Sequence, residues 1–185
     1  DYVASLGTQV YADDIVLDRE VFSTAAIKKL FAFSQEFDCV HLVVYDRDHT
    51  YLLDDYSAFV RELDKDLPNA ERVVDPLSPD GSVIRAAVCC DTRVKSMDMA
   101  MILERELGER FSFMPSGDTW IDVVSRGVNK ATGLEQIRQY YGFKREEILA
   151  FGDSMNDYAM LRYAGTAVVM ENARYALKQI ASRVI

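Results

Sequence analysis

Apolar, β-rich residues gather in three short runs at the start of the chain, Tyr2 to Ser5, Gln9 to Tyr11 and Ile15 to Leu17, and these predict strands. Ala12-Asp13-Asp14 between the second and third predicts a hairpin. Ser23 is a natural N-cap, and after it Ile27, Leu30, Phe31, Phe33 and Phe37 recur near helical spacing, so a helix is expected over 24–37. Val40 to Tyr45 and Tyr51 to Leu53 read as strands across a turn at Asp46-Arg47-Asp48. Tyr56, Phe59, Val60 and Leu63 then define one face of a helix over about 56–66. Pro68 to Gly81 holds three of the four prolines and reads as loop, with a short strand near Val73. Val83 to Cys90 is apolar enough for a central strand. A helix over 94–107 stops at Gly108, and Arg110 to Met114 with Thr119 to Val124 form a strand pair. This middle part predicts an antiparallel sheet covered by helices, an α+β layer.

The last third changes rhythm. A helix over 130–141 stops at Gly142, a buried strand follows at Ile148 to Phe151, and a helix over 156–163 stops at Gly165. A strand at Ala167 to Met170 and a helix over 173–181 complete the alternation. Helix and short apolar strand in turn predict a parallel, doubly wound α/β sheet, to which the first residues are also expected to belong.

Composition narrows the function classes. With 49% hydrophobic and 28% charged residues, the sequence is that of an ordinary globular protein. No apolar run approaches the ~20 residues that span a bilayer, and Asp1-Tyr2-Val3-Ala4-Ser5 do not read as the basic and apolar regions of a secretory signal. The net charge of −9 argues against a nucleic-acid or anionic membrane partner. Cys39, Cys89 and Cys90 match no metal or disulfide spacing and read as reduced, buried thiols of a cytoplasmic protein. His41 and His49 flank Asp46 and Asp48 without a firm ligand set. The chain lacks an initiating Met, and both ends look cut inside structure, so a fragment is expected.

Chemistry concentrates after the strand at 148–151, in Gly152-Asp153-Ser154-Met155-Asn156-Asp157. Ligands of open α/β sheets bind at the carboxyl ends of strands. There Gly152 permits a sharp turn, and Asp153 and Asp157 can converge on one side of it. Mg²⁺ takes carboxylate oxygen, water and phosphate oxygen, and Asn156 adds a neutral donor for phosphate. One aspartate alone would read as a helix N-cap or a first-turn acid. The whole run, placed directly after an apolar strand, reads as a site. Lys130, at a helix start, opposes the local dipole, and a phosphate among carboxylates would reward it.

Asn129-Lys130, the Gly152 to Asp157 run and Ala167-Val168-Val169-Met170-Glu171-Asn172-Ala173 together resemble the Cof-type phosphatases of the haloacid dehalogenase (HAD) superfamily, subfamily IIB. The strand and hairpin opening at Ala4 to Tyr11 fit the same group, and the resemblance covers essentially the whole chain. It implies a Rossmann-like core over 1–19 and 125–185, here incomplete, with an inserted C2-type α+β cap over 20–124. It implies that Asp153 ligates Mg²⁺, that Asn156 and Lys130 contact the phosphoryl group, and that Asp157 supports the metal shell or Lys130. The reaction implied is hydrolysis of a small phosphorylated metabolite, such as a sugar phosphate, through an aspartyl-phosphate.

Two departures stand out. The family's Asp-x-Asp nucleophile motif and its Ser/Thr motif are missing, and at least one βαβ unit, about 30 residues, is expected ahead of Asp1. Asp46-Arg47-Asp48 has the spacing but lies in the expected cap without a glycine-rich turn, so it is not taken as the nucleophile. Leu6 stands where relatives carry Asn before Gly7. The chain alone is therefore expected to be inactive, to bind Mg²⁺ weakly, and to expose strand edges that promote association. A non-catalytic module of the same fold and a phosphosugar mutase are the alternatives.

Overall fold

The computed structural model describes residues 2–53, 63, 65, 67–77 and 81–185. The chain divides into two compact units, one of residues 1–19 with 127–185, the other of residues 20–126. Among the described residues no helix is long and apolar enough to cross a membrane.

The first unit opens with β1 (Tyr2–Ala4), β2 (Gln9–Ala12) and β3 (Ile15–Arg19), an antiparallel sheet in that order. Asp13 and Asp14 make the β2–β3 turn, with φ of 47° and 63°. Two consecutive left-handed residues match the right-handed twist of a hairpin, and aspartate tolerates that region better than most side chains. The expectation that these strands join the later sheet is corrected: among the described residues they pair as strands in a separate sheet.

The second unit is built on six strands: β4 (Val40–Tyr45), β5 (Thr50–Leu53), β6 (Glu71–Val73), β7 (Arg85–Cys90), β8 (Phe111–Ser116) and β9 (Trp120–Ser125). Their order is β6-β5-β4-β7-β9-β8, antiparallel except for the β5–β6 pair. One face packs against α1 (Thr24–Ser34) and α2 (Ser96–Leu107), burying Ile27, Leu30, Leu42, Val88, Met99 and Leu103 together. Ser23 caps α1 as expected, its hydroxyl accepting from the Ala26 amide at 3.2 Å. The helix ends three residues short of 37 because its last turn tightens: Glu36 and Phe37 amides bond carbonyls three residues back, at 3.1 and 3.3 Å. Phe37 still packs on the core from outside the helix, 5.3 Å from Phe33. Gly108 closes α2 in the right-handed region, φ −63°, so conformational freedom does not explain it; a Cβ there would meet the Glu104 carbonyl at 2.2 Å. The helix expected over about 56–66 lies outside the described residues apart from Leu63, which is buried, and Lys65.

Back in the first unit, α3 (Lys130–Tyr141) lies on β1 and β2. Gly133 allows the close approach, since a Cβ would sit 2.5 Å from Val3 Cγ1. Gly142 ends the helix in the left-handed conformation, φ 74°. A parallel sheet follows, β10 (Leu149–Gly152), β11 (Thr166–Val169) and β12 (Arg183–Val184) in that order. Between its strands run α4 (Tyr158–Tyr163) and α5 (Tyr175–Lys178), which bury Leu161 and Leu177 with Ala150, Ala167 and Val169. The helix read over 173–181 contracts to this single turn because the chain reverses at Ser182, whose amide bonds the Ala167 carbonyl at 2.8 Å and so begins β12. The expectation of a buried strand at 148–151 holds on one face only: among the described residues β10 pairs with β11 alone, Ala150 is buried, and Leu149 and Phe151 are 54% and 55% exposed.

Candidate active site

The tip of β10 is folded tightly onto the turn that follows. At Gly152 a Cβ would collide with Asp157 Cβ at 2.6 Å, so glycine is required by space. Residues Met155–Asp157 form a single 3₁₀ turn, with Asp157 N donating to the Ser154 carbonyl at 2.9 Å. This turn replaces the first part of the helix expected over 156–163. Its cause is the Asp157 side chain, whose Oδ2 accepts from the amides of Asp153 and Ser154 at 3.1 and 3.2 Å. The carboxylate therefore reaches back across its own turn and ties it to the strand end.

Its other oxygen meets Lys130. Lys130 Nζ donates to Asp157 Oδ1 at 2.5 Å, and lies 3.5 Å from Asn156 Oδ1, at the limit of a hydrogen bond. Asp157 is buried and Lys130 is three-tenths exposed. An ammonium on the first residue of a helix opposes the dipole, and a buried carboxylate opposite it offsets that cost. The helix start itself is fixed by a capping box: Asn129 Oδ1 accepts from the Ala131 and Thr132 amides, and the Asn129 amide donates to Thr132 Oγ1 at 3.1 Å.

Lys130, Gly152, Asp153 and Asp157 line one cavity of about 510 Å³, with Met160 and Met170 among its apolar walls. The Asp153 side chain is exposed there and makes no hydrogen bond among the described residues. Its free carboxylate suits a hard cation, whereas the three donors on Asp157 leave that carboxylate engaged. Among the described residues no group of three or more His, Cys, Asp or Glu side chains is placed to hold a metal ion. Asp153 thus fits Mg²⁺ as one oxygen ligand, with water and a phosphate oxygen filling the rest of an octahedral shell.

Two contacts at this site escape sequence reading. Gly7 presses on the cap of α3, where a Cβ would meet the Asn129 carbonyl oxygen at 2.1 Å, and its φ is 102°. Leu6 beside it also adopts a left-handed backbone, φ 63° and ψ 21°, which favours Gly or Asn over Leu. The sequence flags this corner only through Gly7 and through Leu6 in the place where relatives carry Asn, and neither points to Asn129. Asp46, which has the spacing of a nucleophile motif, is instead a turn clamp: it accepts from the Asp48 and His49 amides at 2.8 and 2.7 Å and from the Tyr51 hydroxyl at 2.8 Å.

Over residues 2–185 the sequence matches the family described as haloacid dehalogenase-like hydrolase. It is 52% identical over 63 residues to the 5-amino-6-(5-phospho-D-ribitylamino)uracil phosphatase YitU of Bacillus subtilis (strain 168), a stretch covering 34% of this chain and 23% of that protein. Over 77 residues it is 38% identical to the HMP-PP phosphatase of Yersinia pestis (strain Pestoides F), covering 42% and 28% respectively. The match thus spans about a quarter of each relative's length. Among solved structures, the HAD subclass IIB sugar phosphatase BT4131 superimposes with a TM-score of 0.81 over 99% of this chain and 68% of that one. At 21% identity that likeness speaks of fold.

Proposed function

The chain belongs to the haloacid dehalogenase-like hydrolases, and from that premise we propose that the protein is a Mg²⁺-dependent phosphatase acting on a small phosphate monoester. The observation that carries the reading is the convergence of Lys130, Asp153 and Asp157 on one cavity at the carboxyl end of β10. The relatives named above are phosphatases of small phosphorylated compounds, and a substrate of that class, sugar phosphates included, suits the site. In this reading the first unit is the core and the second, residues 20–126, is the cap.

Each residue has a distinct part. Lys130 faces the phosphoryl oxygens and balances the negative charge that grows on them in the transition state. Asp157 holds the ammonium in place. Asn156 donates its amide hydrogens to a phosphoryl oxygen. Asp153 would hold Mg²⁺, which when bound supplies Lewis-acid screening of the phosphoryl oxygens. The reaction implied by the family resemblance passes through an aspartyl-phosphate. With Asp46 occupied as a turn clamp, we expect no positioned nucleophile among the described residues, and phosphate binding without turnover by this chain alone.

The test is a phosphatase assay of the whole protein on a panel of small phosphate monoesters, beside Asp153→Ala and Lys130→Met. Loss of at least a hundredfold in kcat/KM is expected for both. Full activity in either variant would overturn the assignment, and inactivity of the parent on every monoester would favour a binding module.

A further inference from the structure

The outward face of α2 carries two exposed methionines one turn apart, Met97 at 48% and Met101 at 69%. They border a groove of about 480 Å³ between the helix and β8, with Phe113 and Pro115 on its far side. Among the described residues β8 pairs with β9 alone, and Pro115 offers no N–H to a further strand. The groove therefore suits the side chains of a helix better than an added strand. The order of charges beside the methionines says which helix. Asp98 lies about 4.5 Å before Met101 along the helix axis and Arg105 about 6 Å after it, on one flank, about 60° and 40° round from Met101. A two-fold axis at Met101 that sets two copies of α2 antiparallel keeps this flank on the same side and exchanges its ends. Asp98 of each copy then meets Arg105 of the other.

We propose that α2 is the two-fold interface of a homodimer, with Met101 at its centre and two Asp98–Arg105 pairs at its rim. Asp98 has no ion pair among the described residues. Arg105 uses only its Nε, on its exposed neighbour Glu106 at 2.8 Å, and its terminal nitrogens remain to donate across the interface. Met97 and Glu104 share the opposite flank, so the same two-fold brings Met97 of one copy against Glu104 of the other. Arg126 already holds the Glu104 carboxylate, and the incoming methionine packs along the Glu104 stem into the groove. A peptide of one charge sign would meet a like charge somewhere on this stripe, whereas a second copy opposes both. The phosphoryl site, in the other unit, plays no part.

Sedimentation equilibrium of the protein tests this. The parent should be a reversible dimer, and Met101→Glu, at an exposed side chain, should raise its Kd by about thirtyfold or more. Asp98→Arg and Arg105→Asp should each raise it by about tenfold or more, because each sets like charges opposite one another. Mixed together, these two variants should associate as tightly as the parent, since each reversed charge then faces its complement. The double variant Asp98→Arg/Arg105→Asp should recover the parent Kd for the same reason, and circular dichroism melts check that every variant is folded. A monomeric parent would overturn the proposal and leave the groove to a different partner. A dimer that survives Met101→Glu, as one formed through the free edge of β10 would, or a mixture no tighter than its components, would overturn it too.

Discussion

Lys130 Nζ sits 2.5 Å from Asp157 Oδ1, while the other oxygen of the same carboxylate holds the amides of Asp153 and Ser154. One side chain therefore fixes both the amine and the turn that presents the second aspartate. The two acids separate by environment: Asp157 is buried and engaged, Asp153 exposed and free.

That division predicts opposite costs. Asp157→Asn leaves a partly buried ammonium without its counter-charge and should cost about 3 kcal/mol of stability. Asp153→Asn, at an exposed carboxylate, should stay within about 0.5 kcal/mol. Urea denaturation of the two variants measures the contrast, and equal losses would show that the Lys130 pair does not anchor the turn.

The Leu6–Gly7 corner should respond in both directions. A left-handed backbone costs an ordinary residue about 1 kcal/mol or more, so Leu6→Asn should stabilise by roughly that amount. Gly7→Ala adds a methyl 2.1 Å from the Asn129 carbonyl oxygen and should destabilise by about 2 kcal/mol or more. Thermal melts of both variants would check the signs.

Much of this was readable because local chemistry and tertiary packing agree. Asn129 as cap and Gly142 as stop bound α3 at the residues read from sequence. The later elements shifted where local turn bonds intervene. Ile148 is taken by a bond from its amide to the Arg145 carbonyl at 3.1 Å, so β10 starts one residue late. The convergence of Asp153 and Asp157 followed from their four-residue spacing, but which of them is engaged depends on where Lys130 arrives from elsewhere in the chain. Gly7 against Asn129 joins backbones 122 positions apart, a contact that no local pattern announces.

Cys90 offers a check on burial in the second unit. Removal from water, with smaller contributions from Cys39 and Asp91, pushes its thiol up to about 12 from 9.0. The folded state therefore holds the proton longer than the unfolded chain, and stability should fall as pH rises from about 9 toward 12. Iodoacetamide at pH 9 should label Cys90 only after unfolding, as read by peptide mass mapping.

Asp46 should act in the opposite sense. Burial works against its charge, but the amides of Asp48 and His49 and the Tyr51 hydroxyl outweigh it and hold the carboxyl below 3.8. A depressed folded pKa gives stability that is present above the unfolded value and lost as pH falls through the folded one. The parent should thus exceed Asp46→Asn in stability at neutral pH, with the gap closing below about pH 4. A gap that persists to pH 2 would show that the turn depends on shape and not on charge.

The last expectation concerns Mg²⁺ and follows from counting ligands. Asp153 supplies one free carboxylate, and an octahedral ion held by one carboxylate and water binds weakly. Adding inorganic phosphate should tighten it, because Lys130 fixes an anion whose oxygen completes another position of the shell. NMR titration of the Gly152 and Asp153 amides should therefore show a weak Mg²⁺ response that strengthens with phosphate. Asp153→Asn should abolish it, while Lys130→Met should remove only the phosphate effect. Tight binding without phosphate, or an unchanged titration in Asp153→Asn, would mean that the ion is held by other groups.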